Sequence, residues 1–351
     1  MNDFSVMIAM SGGVDSAAAA YLLKARYSVT GVTMQLADGD GAHREAAERD
    51  IADAAATCKM LGIPHRVCDL SAQFRTHVTA PFIKAYEAGL TPNPCVLCNK
   101  KIKFGALLDF ATEAGFSALA TGHYARIEQD SAGRYLLRRA KDAAKDQTYM
   151  LYSLTQDVLS RVLLPLGELE KSEVRALAGE AGLSAAKRED SQDICFIPDG
   201  DYAAYIKAHS DIRPQRGAFI SPDGRVLGEH RGLIHYTVGQ RKGLGIALGK
   251  PAFVLSKSVA DNTVTLGDDA ALYSTRLKVK GINLIPFDTL KHATVLDAKA
   301  RYRQTAAPAR VEQTGEDELT VEFQAPQRAI AAGQSLVLYD GDYLIGGGII
   351  I

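Results

Sequence analysis

Val6-Met-Ile-Ala-Met-Ser11-Gly12-Gly13-Val14-Asp15-Ser16, continued as AAAAYLLKA to Ala25, is the stretch that decides the fold. Val6 to Met10 is a short apolar run that reads as a strand, and the alanine-rich continuation is a strong helix former. Between them two glycines let the backbone turn tightly, so that successive N–H groups can point at a phosphate. The helix start adds its partial positive charge, and Ser11 and Ser16 add hydroxyl donors. The loop lacks the Gly-Lys-Ser/Thr ending of a Walker A motif, so it is not of the kinase or GTPase type. A plain glycine turn with Asp15 and Ser16 as caps is the simpler reading. The strand–loop–helix context favours phosphate binding over it.

Working outward, Val29–Leu36 reads as a second strand. Glu45–Leu61 reads as an Ala-rich helix with Ile51, Ala55 and Cys58 along one face. His65–Leu70 and Ala118–Ile127 read as further strands. Strands alternating with helices predict an α/β domain with a parallel sheet, whose ligands sit at the carboxyl ends of the strands. After Pro165 the character changes. Gly167–Gly182 reads as a small helical insert capped by Ser172, and beyond Asp201 glycines and short β-rich runs take over. Ser221-Pro-Asp-Gly marks a turn between two strands. From Tyr273 onward, short alternating strands predict a small closed β-barrel. Three pieces are expected: 1–164 with 184–200, a central piece of 165–183 with 201–272, and a barrel over 273–351.

At 351 residues the chain is too long for one compact core. Its 47% hydrophobic and 23% charged residues exclude a disordered or collagen-like chain. Forty Lys and Arg against 41 Asp and Glu leave a net charge of -1, so a nucleic-acid partner requires basic residues sorted onto one face. No apolar run is long enough to cross a bilayer, and the N-terminus lacks the pattern of a signal peptide. Five cysteines is an odd number, which argues against a fully paired secreted framework. The expectation is a cytoplasmic enzyme without a membrane partner.

Pro92-Asn-Pro-Cys-Val-Leu-Cys-Asn-Lys-Lys-Ile-Lys-Phe104 carries a second constellation. Two prolines oppose a regular helix, so Cys95 and Cys98 are expected on a shaped loop near a helix start. Lys100, Lys101 and Lys103 nearby would favour a thiolate. An inert pair beside a solvated lysine face is the plainer reading, and half of a zinc site is another. No second C-x-x-C or Cys/His pair with finger-like spacing follows to complete the zinc site. Cys195, in Glu189-Asp-Ser-Gln-Asp-Ile-Cys-Phe-Ile-Pro198, reads by itself as a core cysteine, as do Cys58 and Cys68.

The SGGVDS loop resembles that of the PP-loop ATP pyrophosphatases, which split ATP into pyrophosphate and a substrate adenylate. Over nearly the whole length the chain resembles the bacterial tRNA-specific 2-thiouridylases (tRNA-uridine 2-sulfurtransferases). The shared stretches are SGGVDS, TPNPC..CNKKIKFG, Ala120-Thr-Gly-His-Tyr-Ala125, Lys145-Asp-Gln-Thr-Tyr149, Gly167-Glu-Leu-Glu-Lys171 and DSQDICFI. They continue through Tyr236-Thr-Val-Gly-Gln-Arg-Lys-Gly-Leu-Gly-Ile246, Ala300-Arg-Tyr-Arg-Gln304 and PQRAIAAGQSLVLYDGD. The resemblance implies that ATP, with Mg2+, activates the C2 oxygen of the wobble uridine (U34) and that a cysteine persulfide supplies sulfur. ATP would be held by Ala9, Met10, Ser11, Gly12, Gly13, Val14, Asp15, Ser16, Met34 and Gly122. Cys98 would be the catalytic thiol and Cys195 the persulfide carrier, with Asn93, Pro94 and Cys95 at the target base. His123, Lys145, Asp146, Gln147, Arg301, Tyr302 and Gln334 would contact tRNA. The implied partners are tRNAs with Glu, Gln or Lys anticodons and a sulfur donor, either a cysteine desulfurase or a sulfur-relay protein.

One position departs from the family pattern. The best-known members carry Asp, assigned to acid–base work, where this chain has Cys95. A thiol can shuttle a proton, but not with a carboxylate's pKa. Alternatively Cys95, Cys98 and Cys195 would hold a [4Fe–4S] cluster with one iron open to sulfide. Two rival functions are a PP-loop ligase that adenylates a small metabolite and a cysteine-based tRNA-binding module without catalysis. The former needs no cysteine set, and the latter has no use for SGGVDS.

Overall fold

The computed structural model describes residues 4–36, 42–183 and 194–351. The first half of the chain supplies strands β1 (Ser5–Ala9), β2 (Ser28–Gln35), β3 (His65–Asp69), β4 (Ala118–Ala120), β5 (Arg126–Gln129), β6 (Tyr135–Arg138) and β7 (Val162–Leu163). Its helices are α1 (Val14–Lys24), α2 (Ala42–Leu61), α3 (Ser71–Phe74), α4 (Ala80–Glu87), α5 (Pro94–Cys98), α6 (Leu107–Glu113), α7 (Gln156–Ser160) and α8 (Lys171–Glu180). Five strands form a parallel sheet in the order β3-β2-β1-β4-β7. β1 is central and its Val6, Met7 and Ile8 are fully buried, as a strand covered on both faces requires. The strand order reverses at β1: β2 and β3 lie to one side, and the chain then returns to place β4 on the other. The loops leaving β1 and β4 therefore meet at a topological switch point, where sheets of this kind bind their ligands.

Helix α1 is sandwiched. Ala17 to Ala20 are all buried, and their small side chains let the helix lie close to its neighbours. One neighbour is α8, whose Val174 and Ala178 join Leu166 and Leu183 in the same apolar cluster as α1. Residues 165–183, expected with the central piece, thus pack on the parallel-sheet domain, because their apolar face is buried there. The start of α8 also differs from expectation. Its N-cap residue is Glu170, whose N–H donates to Glu173 Oε2 at 2.7 Å, and Ser172 lies inside the helix. The acidic stretch Glu189–Asp193, and most of the expected 184–200 return, lie outside the described residues.

The expected single strand Ala118–Ile127 is two. β4 ends at Ala120, and β5 pairs instead with β6 in a hairpin that leaves the parallel sheet. That hairpin joins a C-terminal sheet through Leu137↔Leu344 and Arg138↔Tyr343.

Beyond α9 (Tyr202–Ala208) comes a four-stranded sheet of β8 (Gly217–Ile220), β9 (Val226–His230), β10 (Phe253–Ser258) and β11 (Thr263–Gly267), around Phe219, Tyr236, Val254, Val264 and Leu266. Its β8–β9 turn is the Ser221-Pro-Asp-Gly segment, closed by Ser221 N–H donating to Arg225 O at 2.9 Å. The last strands are β12 (Tyr273–Leu284), β13 (Thr294–Lys299), β14 (Ala307–Gly315), β15 (Glu318–Arg328), β16 (Ser335–Asp340) and β17 (Tyr343–Ile350). Pairing of β12 with both β15 and β17 closes them into a six-stranded antiparallel barrel, as expected. Alternation is plain in β12: Leu277 and Val279 point into the barrel core while Lys278 and Lys280 are exposed.

Candidate active site

The loop after β1 is built as its sequence predicts. Gly12 takes φ 73°, a conformation that favours glycine, and helix α1 begins at Val14. Ser16 Oγ closes the loop from within: it donates to Gly13 O at 3.0 Å and accepts from Ser11 N–H at 3.2 Å. Across the switch point, Gly122 comes so close that a Cβ there would stand 3.0 Å from both Asp15 C and Ser16 N. Any side chain at 122 would press on the loop backbone. Asp15 is held by two groups that sequence reasoning quoted within motifs but gave no role. Lys171 Nζ donates to its two carboxylate oxygens at 2.7 and 2.9 Å, and Tyr124 Oη donates to Oδ1 at 2.6 Å. The Lys171 side chain is only 11% exposed, so this pair ties the phosphate loop to the start of α8. Met34, expected at the nucleotide, lies near the carboxyl end of β2 and is half-buried.

The cysteine segment is helical rather than a loop. Pro94 occupies the first turn of α5, where its missing N–H costs nothing, and Asn93 Oδ1 accepts from Cys95 N–H at 3.2 Å as an N-cap. The helix runs on into a π-helical segment, Asn99–Ala106. Cys95 is half-buried and Cys98 buried. Burial drives the Cys98 thiol up to about 12; Lys103 pulls it down, and the neighbouring Cys195 and Cys95 push it further up. The lysines do not make Cys98 a resting thiolate, because lost hydration outweighs them. Cys195 is exposed, although the protein packed around it still raises its thiol against the pull of Lys103. Phe196 next to it packs edge-on against Phe74 and Phe82, which fixes the turn that carries Cys195.

Residues 122–124 join the two halves of the site. Gly122 and Tyr124 touch the phosphate loop, while His123 between them faces the cysteine helix, with Nε2 3.4 Å from Lys103 Nζ. His123 is buried, and burial, then Lys103, holds it well below the usual imidazole range.

The barrel closes the other side. Gln334 Nε2 donates to Thr91 O at 3.0 Å and Pro92 O at 3.4 Å, and Thr91 N–H donates to Ala332 O. Tyr302 packs its ring 5.7 Å from that of Tyr149, within electrostatic range of Cys95, Lys145 and Asp146. Arg301 donates to Val238 O at 3.0 Å, and its buried Nε has no hydrogen-bond partner among the described residues. Several residues expected at tRNA also support the site from inside. Asp146 is buried and accepts from Ala140 N–H and Thr148 Oγ1, and Gln147 Oε1 accepts from Tyr124 N–H. Among the described residues, no group of three His, Cys, Asp or Glu is placed to hold a metal ion. No described helix is long and apolar enough to cross a membrane.

Comparison with known proteins follows the same three-part division. A family model described as "tRNA methyl transferase HUP domain" matches residues 4–199. A "tRNA methyl transferase PRC-barrel domain" matches 204–268, and an "Aminomethyltransferase beta-barrel domain" matches 274–350. The tRNA-specific 2-thiouridylase MnmA of Clostridioides difficile (strain 630) is 47% identical over 351 residues, covering 98% of this chain and 97% of its own. The tRNA-specific 2-thiouridylase MnmA 1 of Clostridium botulinum (strain Loch Maree / Type A3) is 46% identical, covering 98% of each chain. That of Clostridium acetobutylicum is 44% identical, covering 98% of this chain and 99% of its own. Such similarity spans the parallel sheet, the central sheet and the barrel alike, and the chain belongs to the tRNA-specific 2-thiouridylase family.

Proposed function

We propose that this protein converts a uridine of tRNA to 2-thiouridine, the activity its relatives are named for, and does so at the expense of ATP. The finer reading takes the wobble uridine of tRNAs with Glu, Gln or Lys anticodons as substrate. The observation that carries the proposal is the Gly122-His123-Tyr124 step, which sets a phosphate-binding loop and a cysteine helix on one crevice.

The chemistry follows from the substrate. A uridine C2 oxygen is a poor leaving group. Attack of that oxygen on the α-phosphorus of ATP, with release of pyrophosphate and loss of the N3 proton, turns it into AMP. The loop of residues 9–16, with Met34 and Gly122, would hold the nucleotide, and Cys95 would carry the proton. Mg2+ would arrive on the ATP phosphates, since this ion is commonly held by one or two carboxylates together with substrate phosphates. Asp15 is the carboxylate the loop offers. A sulfur donor, a cysteine desulfurase or a relay protein, would load Cys195 as a persulfide. The terminal persulfide sulfur attacks C2, and AMP leaves with the electron pair of the C2–O bond. Cys98 then attacks the Cys195 sulfur, forming a Cys98–Cys195 disulfide and freeing the C2 thiolate. A thiol reductant restores the two cysteines. The [4Fe–4S] alternative needs three thiolates brought together as ligands. Cys95, Cys98 and Cys195 would be those ligands, and no step above is routed through a cluster.

Purified protein given tRNA, ATP and a persulfide source should form 2-thiouridine, read by mass spectrometry of the digested tRNA, with tRNA-dependent pyrophosphate release. Pyrophosphate release that ignores tRNA and responds to a small metabolite would favour the ligase reading. Because the net charge is near zero, tRNA affinity has to come from local groups such as Lys145 and Arg301. Raising salt from 50 to 200 mM should then weaken binding by about tenfold or more in fluorescence anisotropy. Affinity that ignores salt counts against that charge sorting.

Cys95→Asp introduces the residue that the best-known family members carry and should retain activity without bound iron. If Cys95→Asp and Cys95→Ala instead lose iron and activity together under anaerobic assay, the persulfide route is overturned.

A further inference from the structure

The outer face of the barrel does not meet water everywhere. Along β16 the side chains alternate: Leu336 and Leu338 join the barrel core, whereas Val337 and Tyr339 join the apolar cluster of the parallel-sheet domain. The neighbouring β13 follows the same rule, with Leu296 and Ala298 buried in the barrel and Asp297 and Lys299 turned outward. Lys299 stands opposite Val337 in the ladder, so its side chain leaves the barrel on the face that meets the parallel-sheet domain. It ends on two aromatic rings, with Nζ 5.7 Å from the centroid of Tyr149 and 5.4 Å from that of Tyr302.

A lysine is costly in that place. It is half-buried, and among the described residues its ammonium has neither a hydrogen-bond acceptor nor a carboxylate at ion-pair distance. The ring faces offset part of the lost hydration, yet burial still lowers the pKa of the ammonium. The carboxylate that pulls on it, Asp146, is already engaged. Asp146 Oδ1 accepts from Ala140 N–H at 3.0 Å, Oδ2 accepts from Thr148 Oγ1 at 2.7 Å, and Arg139 Nη1 stands 3.8 Å from Oδ2. Arg139 repeats the arrangement of Lys299, its guanidinium lying 3.8 Å from the centroid of the Tyr339 ring. Lys145 and Arg303 act on the neighbouring Tyr302. Four cations thus gather near one buried carboxylate, in a chain whose net charge is -1. That is the local sorting of charge that a nucleic-acid partner requires.

We propose that Lys299, seated on Tyr149 and Tyr302, binds a phosphate of the tRNA backbone next to the target uridine, and that Arg139 strengthens the positive field there. Its ammonium offers donors that no described protein group takes up, and a phosphodiester supplies the acceptor oxygens. Phosphate contacts fix the register and orientation of a strand without reading its sequence. A uridine drawn out of its stack needs its backbone held in this way. The placement rests on the tRNA-thiolation reading above, because Tyr302 lies within electrostatic range of Cys95, which is expected at the target base. The phosphates of ATP are the other anions of the reaction, and the loop after β1 is their seat.

The test is binding of unmodified tRNA to the full-length protein, followed by fluorescence anisotropy from 50 to 200 mM salt. Lys299→Met and Lys299→Gln remove the charge and keep most of the side chain. Each should lower the slope of log K against log salt by about 0.7–0.9, so the affinity gap to wild type narrows about threefold across that range. Lost packing alone weakens binding and leaves the slope unchanged. Lys299→Arg keeps a charge on the rings and should hold the wild-type slope, as should Lys59→Met, which alters an exposed lysine of α2. An unmoved slope in folded Lys299→Gln overturns the proposal. So does an equal fall in Lys59→Met, or a Lys299→Arg slope as low as that of Lys299→Gln. A loss of ATP affinity in calorimetry with the tRNA slope intact gives the cation to the nucleotide and overturns it as well. Wild-type protein that binds no tRNA rejects the tRNA reading and the phosphate seat together. Wild-type protein that binds tRNA and shows the Lys299 effect, yet makes no 2-thiouridine, rejects the proposed reaction alone.

Discussion

Cys98→Ser is expected to lower 2-thiouridine formation by about three orders of magnitude or more while tRNA-dependent pyrophosphate release continues. A serine hydroxyl does not form the disulfide that releases the product, yet it fills nearly the same space in the buried core around Cys98. Cys195→Ser should block product to a similar extent for a different reason. It removes the exposed sulfur that, on the proposed route, would be loaded as a persulfide. Mass spectrometry separates the two: Cys98→Ser keeps a persulfide on Cys195, and Cys195→Ser carries none. The resting thiol of Cys98 sits at about 12 because of burial, so its anion becomes more populated as pH rises. Single-turnover sulfur transfer should therefore speed up between about pH 7 and 9 in the wild type. In Cys98→Ser that rise should disappear. Normal product formation by Cys98→Ser would remove this residue from the mechanism.

What could be read from the sequence was local. The phosphate loop is legible because strand, glycine pair and helix follow one another within about twenty residues, and each step has its own physical signal. The barrel is legible because strands such as β12 and β15 alternate buried apolar and outward polar residues. Lys171 was not, since its partner Asp15 lies 156 residues away and neither flanking stretch marks an ion pair. The thiolate expected at Cys98 failed for a related reason. The sequence displays the lysines, but whether they outweigh lost hydration depends on burial, which the distant packing of α5 decides. The helical state of Cys95 was within reach. Proline breaks a helix interior and starts a helix at its first position, and Asn93-Pro94 is such a start. The move of β5 and β6 into the barrel sheet hinges on pairing with Leu344 and Tyr343, which nothing between 126 and 138 announces.

Asp15→Ala should abolish tRNA-dependent pyrophosphate release, and the structure adds a second consequence. Read from the sequence, Asp15 is a loop residue whose loss leaves the fold intact. In the structure it is the anchor for Lys171 and Tyr124. Its removal leaves a largely buried ammonium without its carboxylate, and the remaining exposure of Asp15 softens the penalty to about 1–3 kcal/mol. Asp15→Asn keeps an acceptor for Tyr124 while deleting the charge, so it should lose activity as fully and stability less. Lys171→Met removes the other half of the pair, so combined with Asp15→Asn it deletes both charges of the pair. The double variant should therefore recover part of the stability lost by Asp15→Asn alone and recover none of the activity. Urea unfolding and pyrophosphate release on the three variants measure the two effects separately. Recovery of both together would make Asp15 a purely structural anchor, and undiminished pyrophosphate release from Asp15→Ala would remove the loop of residues 11–16 from ATP chemistry altogether.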